Sequence, residues 1–442
     1  MLYELWRTVA TARRNELALR DAASGRRWTF GELFAASEGT PVSDPARCED
    51  RSAPGRRPAL QSELAFPEGH APEFILDLLA AWRDGRIVCP LEPGQSPPPI
   101  PPPPASCVHL KMTSATTGDA RLVAFTAEQL AADAANIVAT MGLRPDWPNL
   151  GVISMSHSYG FSNLVLPLLL HGIPLIICPS PLPEAVRRAV DGEDALTLPA
   201  VPAMWRAWHD ADAIAPKMRL AISAGAPLPA SLEQTVFTEH GLKIHNFYGS
   251  SECGGIAYDA SPAPRMDDAL AGAPLRNVNL SVNQDGCLTV QSRAVGETYL
   301  PEPDASLGHG QFRTSDLAEL QAGLVYLRGR ASEFINVAGR KVSPQTIELE
   351  LSAHSAVSDC VVFGVPDREG ERGDLIVAAI VPQSPVTVTG EELRKFLLER
   401  LPAWQIPRDW LLVETLTSNR LGKISRAEWR RRFAEAHRSK PA

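Results

Sequence analysis

The chain lacks a long apolar segment. Its longest apolar stretch, Leu164 to Leu170, contains Pro167 and is far shorter than the roughly 20 apolar residues that a membrane-spanning helix needs. The first seven residues also lack the basic and then apolar layout of a secretory signal. We therefore expect no membrane span and a soluble, cytoplasmic protein.

Paired cysteines and excess positive charge are also missing. The seven cysteines are odd in number, scattered and free of C-x-x-C spacing, which argues against a disulfide framework or a zinc site and favours reduced thiols. The net charge is -8 at pH 7, so we expect no nucleic-acid partner, because such binding needs a concentrated basic surface. The arginines between Arg426 and Arg432 are predicted to be the solvated face of a helix.

With 442 residues, the chain is too long for one core and predicts two or three domains. Residues 107–250 alternate short apolar runs with amphipathic stretches, the pattern of β-α-β units around a parallel sheet. Ligands bind such sheets at the carboxyl ends of the strands. The predicted strands are Val108–Met112, Gly151–Met155, Pro174–Cys178, Leu196–Leu198, Arg219–Ser223 and Lys243–Phe247. The predicted helices run from a Thr126/Gln129 capping box to about Met141, with Gly142 as the stop, and from Asn163 to Leu170.

The pattern changes beyond residue 270. Residues 277–290 and 317–327 alternate with period two around Gly-bearing turns, which predicts antiparallel hairpins or a small barrel. After Arg330, about a hundred residues mix strand and helix patterns and indicate a small α+β domain. The proline tract at 96–104 is predicted to be a stiff polyproline II spacer.

Four polar segments could hold a nucleotide. The Thr/Ser/Gly loop 113–118 follows a predicted strand, where hydroxyls and backbone N–H groups can wrap a polyphosphate. The segment 248–252 places an aromatic ring, a hydroxyl and a carboxylate in one turn, suited to adenine, phosphate and magnesium. Asp316 ends the third segment, and Lys423 stands on a Gly turn near the C-terminus. Taken singly, the first of these segments is more often an ordinary turn.

In their order and spacing, these segments resemble the AMP-forming acyl- and aryl-acid ligase superfamily, which includes acyl-CoA synthetases, luciferases and adenylation domains. The resemblance spans the chain from Trp28–Leu33 to the terminal lysine segment. It implies a large α/β N-terminal domain over residues 1–331, with parallel sheets layered with helices plus a small β-barrel-like subdomain. It also implies a small mobile α+β C-terminal domain over residues 332–442.

The resemblance also assigns roles to residues. Tyr248 would stack on adenine, Ser251 would touch the α-phosphate, and Glu252 together with Thr117 would bind Mg2+. Asp316 would grip the ribose with help from Arg330. The remaining ATP contacts implied by the resemblance are Thr113, Ser114, Thr116, Thr117 and Gly118 at the phosphates, and Gly225, Ala226 and Gly249 beside adenine and the acyl pocket.

Three further residues complete the implied machinery. Lys423 would bridge the substrate carboxylate and ribose during adenylation, His157 would gate the carboxylate pocket, and Gly339 would border the thiol tunnel. The implied reaction joins a carboxylic acid to AMP and then passes the acyl group to coenzyme A or to the phosphopantetheine arm of a carrier protein. The family alternates between these steps by swinging its small domain.

The sequence departs from the family pattern at Ala115, Arg121, Ser315 and Ser332. An active acid–thiol ligase remains the first hypothesis, and a catalytically weakened nucleotide-binding protein with a regulatory or scaffold role is the alternative. A third is adenylate formation without thiol transfer. Residues 159–164 hold no acid to pair with an ammonium group, so an aromatic or medium-chain fatty acid is expected rather than an α-amino acid. The acceptor and the oligomeric state are left open.

Overall fold

A computed structural model describes residues 1–39, 63–113, 121–366, 373–383, 388–416 and 426–438. No helix among these residues combines the length and the apolar character that a bilayer crossing requires. The helices are α1 (Leu2–Ala12), α2 (Phe30–Gly39), α3 (Pro72–Arg83), α4 (Ala127–Met141), α5 (Ser158–Gly160), α6 (Leu166–His171), α7 (Pro183–Val190), α8 (Pro202–Asp210), α9 (Ala230–His240), α10 (Pro344–Ser352), α11 (Gly390–Leu398) and α12 (Arg426–Arg438).

The strands are numbered in chain order. They are β1 (Leu17–Asp21), β2 (Arg27–Thr29), β3 (Leu64–Ala65), β4 (Ile87–Val88), β5 (His109–Met112), β6 (Leu122–Phe125), β7 (Asn149–Gly151), β8 (Leu175–Ile177), β9 (Leu196–Ala200), β10 (Met218–Ser223), β11 (Ile244–Ser250), β12 (Gly254–Tyr258), β13 (Leu270–Pro274), β14 (Asn279–Val282), β15 (Cys287–Gln291), β16 (Thr298–Leu300), β17 (Leu307–Gly308), β18 (Gln311–Gln321), β19 (Leu324–Arg330), β20 (Ile335–Val337), β21 (Arg340–Val342), β22 (Val357–Pro366), β23 (Asp374–Pro382) and β24 (Asp409–Leu412).

The largest sheet has a parallel half and an antiparallel half. Strands β11, β10, β9, β7, β8 and β1 are hydrogen-bonded in that order and run parallel. From β11 the order continues antiparallel through β12, β13, β19, β18, β15 and β14. The predicted α/β fold is therefore confirmed, and so are the antiparallel hairpins beyond residue 270. A second, mixed sheet has the order β16-β6-β5-β4-β3.

Local sequence signals set α4. The Thr126 hydroxyl accepts the backbone N–H of Gln129, the Gln129 side chain accepts the N–H of Thr126, and Gly142 ends the helix at φ 66°. These contacts satisfy N–H groups that a helix start leaves unpaired, and glycine adopts the left-handed stop without strain. The predicted helix from Thr126 to Met141 is confirmed.

The prediction of a strand over 151–155 was wrong. The strand ends at Gly151, and the chain then turns, with the Ser156 N–H donating to Ser154 Oγ at 3.2 Å. Serine side chains that bond nearby backbone compete with a strand ladder in this way. The next helix also begins earlier than predicted, at Ser158, and passes through a π-helical turn, Phe161–Val165, before α6.

The residues after 331 have their own core. Strands β22, β23 and β24 form a three-stranded sheet, with Ile347 of α10 and Leu393 of α11 buried against it. Trp429 and Phe433 of α12 are buried in a separate cluster with Phe363. The main core, by contrast, contains residues from Leu2 to Val325. The boundary at 331/332 remains a prediction.

The prediction that the C-terminal arginines form a solvated face was wrong for Arg426, which is half-buried, whereas Arg430 is exposed although it also contacts the backbone. Arg426 pairs with Glu333 and Glu348, and its Nε donates to the Val362 carbonyl at 3.1 Å. Arg430 Nε donates to the Gly364 carbonyl at 2.8 Å. Backbone acceptors on β22 therefore bind these side chains, a contact that charge patterning does not reveal.

Candidate functional site

Asp316 lies between a phenol and a guanidinium. It faces Arg330 directly across β18 and β19, and Arg330 Nε donates to Asp316 Oδ1 at 2.8 Å. The Tyr248 hydroxyl donates to the other carboxylate oxygen. Burial raises the pKa of Tyr248 well above its usual value, and the charge of Asp316 adds to this effect. The structure thus joins the predicted adenine-stacking and ribose-binding residues in one hydrogen-bonded group, with the phenol protonated.

Arg330 connects this group to the residues that follow. Burial opposes its charge, but Asp316 and Glu333 outweigh that effect and raise the pKa of Arg330. Arg330 Nη1 lies 3.8 Å from Glu333 Oε1, and Glu333 also pairs with Arg426. A continuous chain of charges therefore runs from the predicted ribose site to the C-terminal helix.

Glu252 is oriented by groups on two sides. Its N–H donates to Ser250 Oγ at 3.2 Å, and the Tyr299 hydroxyl donates to Glu252 Oε1 at 3.1 Å. Burial raises the pKa of Tyr299, and Glu252 adds to it, so the phenol remains a donor. Gly249 permits the tight turn, because a Cβ there would lie 2.7 Å from the Gly254 carbonyl. Sequence analysis missed Tyr299, which pairs opposite Val123 on the strand that leaves the predicted phosphate loop.

The two ends of the predicted phosphate loop are held together. The Thr113 N–H donates to the Arg121 carbonyl at 2.8 Å, and the Arg121 N–H donates to Thr113 Oγ1 at 3.2 Å. The Arg121 guanidinium lies 3.6 Å from the centre of the Tyr299 ring and 3.4 Å from Asp304 Oδ2. The cation at position 121 is thus already paired with an acid and stacked on an aromatic ring.

The predicted carboxylate gate meets the Glu252 turn. Ser158 Oγ lies 3.0 Å from Ser251 Oγ, and His157 precedes Ser158 as the N-cap residue of α5. Gly160 packs so closely that a Cβ would lie 2.0 Å from the Ser154 carbonyl oxygen. The gate segment is therefore fixed beside the residue predicted to contact the α-phosphate.

The glycine predicted to lie beside adenine and the glycine predicted to border the thiol tunnel are in different parts of the structure. Gly225, at φ 85°, and Ala226 are exposed just after β10, at the carboxyl edge shared by β9, β10 and β11. Gly339 lies apart from them, in the hairpin turn between β20 and β21 at φ 82°. Val337, the last residue of β20, forms a bridge to Gly373.

A buried ion pair lies behind these segments. Lys111 Nζ is 3.7 Å from Asp133 Oδ2, and the two side chains are 3% and 2% exposed. Ser162 Oγ accepts from Lys111 at 3.2 Å and donates to Asp133 at 2.6 Å. Asp133 also accepts the N–H of Gly255 at 3.1 Å. Sequence analysis missed this group, although a lysine inside an apolar strand was a visible signal.

The pair connects the strand before the phosphate loop, the gate helix and the strand after Glu252. Burial lowers the pKa of Lys111, while the charge of Asp133 opposes the shift. Buried charges of this kind are stable only when paired and hydrogen-bonded. Five predicted site residues, Ser114, Thr116, Thr117, Gly118 and Lys423, lie outside the described residues.

Comparisons with known proteins identify the family of this chain. The family model described as AMP-binding enzyme matches residues 80–308, and the model of its C-terminal domain matches residues 346–423. A feruloyl-CoA synthase from Amycolatopsis is 29% identical over 82% of this chain and 78% of its own length. A probable 2-succinylbenzoate–CoA ligase from Mycobacterium tuberculosis is 30% identical over 73% of this chain and 83% of its own.

Solved structures agree in fold. ATP-bound MatB from Rhodopseudomonas palustris superposes with a TM-score of 0.82 at 19% identity, covering 99% of this chain and 100% of that one. The first family model alone spans 229 of the 442 residues. The chain therefore belongs to the AMP-binding enzyme family.

Proposed function

We propose that this chain uses ATP to convert a carboxylic acid into an acyl-adenylate and then transfers the acyl group to a thiol. The observation that carries the proposal is the group formed by Tyr248, Asp316 and Arg330, beside the turn that holds Glu252. In the first step a carboxylate oxygen attacks the α-phosphorus and pyrophosphate leaves. In the second step the thiolate attacks the acyl carbon and AMP leaves.

The residues divide the work of the first step. Asp316, hydrogen-bonded to Arg330, offers acceptor oxygens to the ribose hydroxyls, and Tyr248 offers its ring face to adenine. Ser251 and the loop hydroxyls donate to phosphate oxygens. Lys423 would supply the cation that brings the carboxylate and α-phosphate together, since like charges must be compensated for the attack to occur. Arg426, three residues later in the sequence, is paired with Glu333 next to Arg330.

The residues around Glu252 fit a magnesium ion. The Glu252 carboxylate accepts from a neutral phenol at 3.1 Å, so that partner leaves its negative charge uncompensated. Mg2+ prefers such hard oxygen ligands and the oxygens of substrate phosphates. Glu252, with Thr117 as a further oxygen ligand, would hold the ion, which would supply charge neutralisation to the polyphosphate.

An aromatic acid is the first candidate substrate, with a medium-chain fatty acid next. The names of the feruloyl-CoA and 2-succinylbenzoate–CoA enzymes support this order. Residues 159–164 contain no acid, and Asn163 there donates to the Tyr159 carbonyl at 3.1 Å. The nearby Asp133 is already paired with Lys111. Residues 159–164 and Asp133 therefore offer no unpaired carboxylate to an ammonium group on the substrate.

Coenzyme A is the proposed acceptor, with a carrier protein as the alternative. We further propose that residues 332–442 swing as a unit between the two steps, bringing Lys423 and then the Gly339 hairpin to the adenylate. The six described cysteines are buried and free, and burial raises the pKa of Cys89 to about 12. Such inert thiols support a reducing, cytoplasmic location.

Hydroxamate trapping of the adenylate tests this proposal. A panel of aromatic and fatty acids is incubated with ATP and hydroxylamine, and product is then sought by mass spectrometry with coenzyme A or a phosphopantetheinylated carrier. Asp316→Ala should lower acid-dependent hydroxamate formation at least tenfold. Glu319→Ala, an exposed change on the same strand, is the matched control. Wild-type protein that gives no hydroxamate with any acid would refute the proposal.

A second candidate has an observation in its favour. Arg121 is held by Asp304 and Tyr299, and Ala115 in the same loop removes glycine's backbone freedom. A chain with these features could bind ATP without turnover and act in regulation or as a scaffold. Calorimetry that detects ATP binding, together with no exchange of pyrophosphate across the acid panel, would favour this candidate.

A further inference from the structure

Two histidines and a glutamate meet where α8 and α9 end. His209 lies in the last turn of α8, and Glu239 and His240 end α9. His209 Nδ1 is 3.3 Å from His240 Nε2 and 3.8 Å from Glu239 Oε2. One ligand atom from each of the three residues lies within 4.8 Å of the other two.

This cluster lies away from the candidate active site. Strands β9, β10 and β11 are parallel, and α8 and α9 each begin after a strand's carboxyl end. Both helices must therefore run back and finish at the amino edge of the sheet. The residues around Glu252 and Gly225 follow the carboxyl ends, at the opposite edge. The cluster has no part in the proposed reaction.

The distances match those between ligands of one tetrahedral ion. Zinc–nitrogen bonds of about 2.0–2.1 Å place two nitrogen ligands about 3.4 Å apart in a tetrahedron. The two imidazole nitrogens are separated by nearly this distance, with their ring planes at 89° to each other. A small rotation of the exposed Glu239 side chain would bring its oxygen to the same separation.

The electrostatic setting favours a cation. Both helices present their C-terminal ends, which carry partial negative charge, and Glu239 adds a full one. The His209 side chain is only 17% exposed, so this ligand would lose little conformational freedom when it binds an ion. Two imidazoles and one carboxylate form a donor set that zinc uses commonly, with a fourth position for water.

We infer that His209, Glu239 and His240 bind a divalent transition-metal ion, with Zn2+ the best fit, and that the ion clamps α8 to α9. The site lies at the edge of the sheet remote from the nucleotide residues, so the ion would join the two helices and take no part in the proposed reaction. It leaves the proposed function untouched, and its test needs neither acid nor ATP.

Metal binding to untagged, chelator-treated protein tests the inference. Zn2+ is titrated in competition with a chromophoric chelator, and one equivalent should bind the wild type. Loss of a ligand in His209→Ala or Glu239→Gln should weaken this binding by about tenfold or more, since even residues behind the ligands contribute that much. The control His309→Asn removes an exposed histidine at φ 52° that asparagine tolerates, and it should bind like the wild type.

Two further readouts separate this site from the cysteines and from a folding defect. Co2+ should give the absorption of a nitrogen–oxygen site, whereas a thiolate-to-cobalt band would overturn the assignment. Zn2+ should raise the melting temperature of the wild type and the control but not of Glu239→Gln, a change at a side chain that is 58% exposed and that should leave folding intact. Absence of stoichiometric zinc binding in the wild type, or equal binding in all variants, would also overturn it.

Discussion

Lys111→Met should destabilise the large N-terminal part of the chain by about 3 kcal/mol. Removing one partner of a buried ion pair typically costs about 3–5 kcal/mol, because the other charge is left uncompensated. Asp133 would keep two donors, the Ser162 hydroxyl at 2.6 Å and the Gly255 N–H at 3.1 Å. These two bonds place the expected loss at the lower end of the range.

Urea unfolding followed by tryptophan fluorescence measures this loss. The control is Lys395→Met, an exposed lysine on α11, which should change the free energy of unfolding by less than about 0.5 kcal/mol. The double variant Lys111→Met/Asp133→Asn removes both charges and should recover at least about 1 kcal/mol relative to Lys111→Met. Asp133→Asn alone completes the set. If the loss of unfolding free energy in the double variant equals the sum of the losses in the two single variants, the two residues are not coupled and the reasoning is refuted.

Three other predictions concern individual side chains and their surroundings. Tyr299→Phe removes the hydrogen bond to Glu252 and should raise the Mg2+ concentration needed for half-maximal pyrophosphate exchange severalfold, whereas Tyr326→Phe should not; an unchanged requirement would contradict the role given to Tyr299. Gly160→Ala puts a Cβ against the Ser154 carbonyl and should cost about 2–3 kcal/mol in urea unfolding; a variant as stable as wild type would show that the gate turn is not so tightly packed. Burial lowers the pKa of His70 and His109, so the unfolded chain binds protons that the folded chain does not, and the urea midpoint should fall between pH 7 and pH 5.5; a midpoint constant over this range would count against neutral buried histidines.

Much of the fold could be predicted from periodicity and local signals. Helix α4 follows from its capping box and Gly142, because those contacts lie within a few residues of each other. The parallel strands β8 to β11 follow from short apolar runs, whereas the predicted strand at 108–112 lies antiparallel to β6 in the second sheet. The end of β7 at Gly151 could not be predicted, because the turn that follows it depends on Ser154 donating to Glu92, 62 residues away.

The candidate site was predicted as a set of separate segments. The sequence identified Tyr248, Glu252 and Asp316 by type and order, but not that the Tyr248 hydroxyl binds Asp316. It left Tyr299 out, since nothing local distinguishes it from any other strand tyrosine. The roles of Ser114, Thr116, Thr117, Gly118 and Lys423 stay predictions.

By itself, the sequence determined which family of chains this one belongs to and where its strands deliver polar loops, because those properties reside in residue order and spacing. Only the tertiary structure decided which charges meet. Lys111 and Asp133 are 22 positions apart, and Arg330 and Arg426 share Glu333 across 96 positions. Pairings of this kind depend on how helices and sheets pack, and packing is a property of the whole chain rather than of any segment.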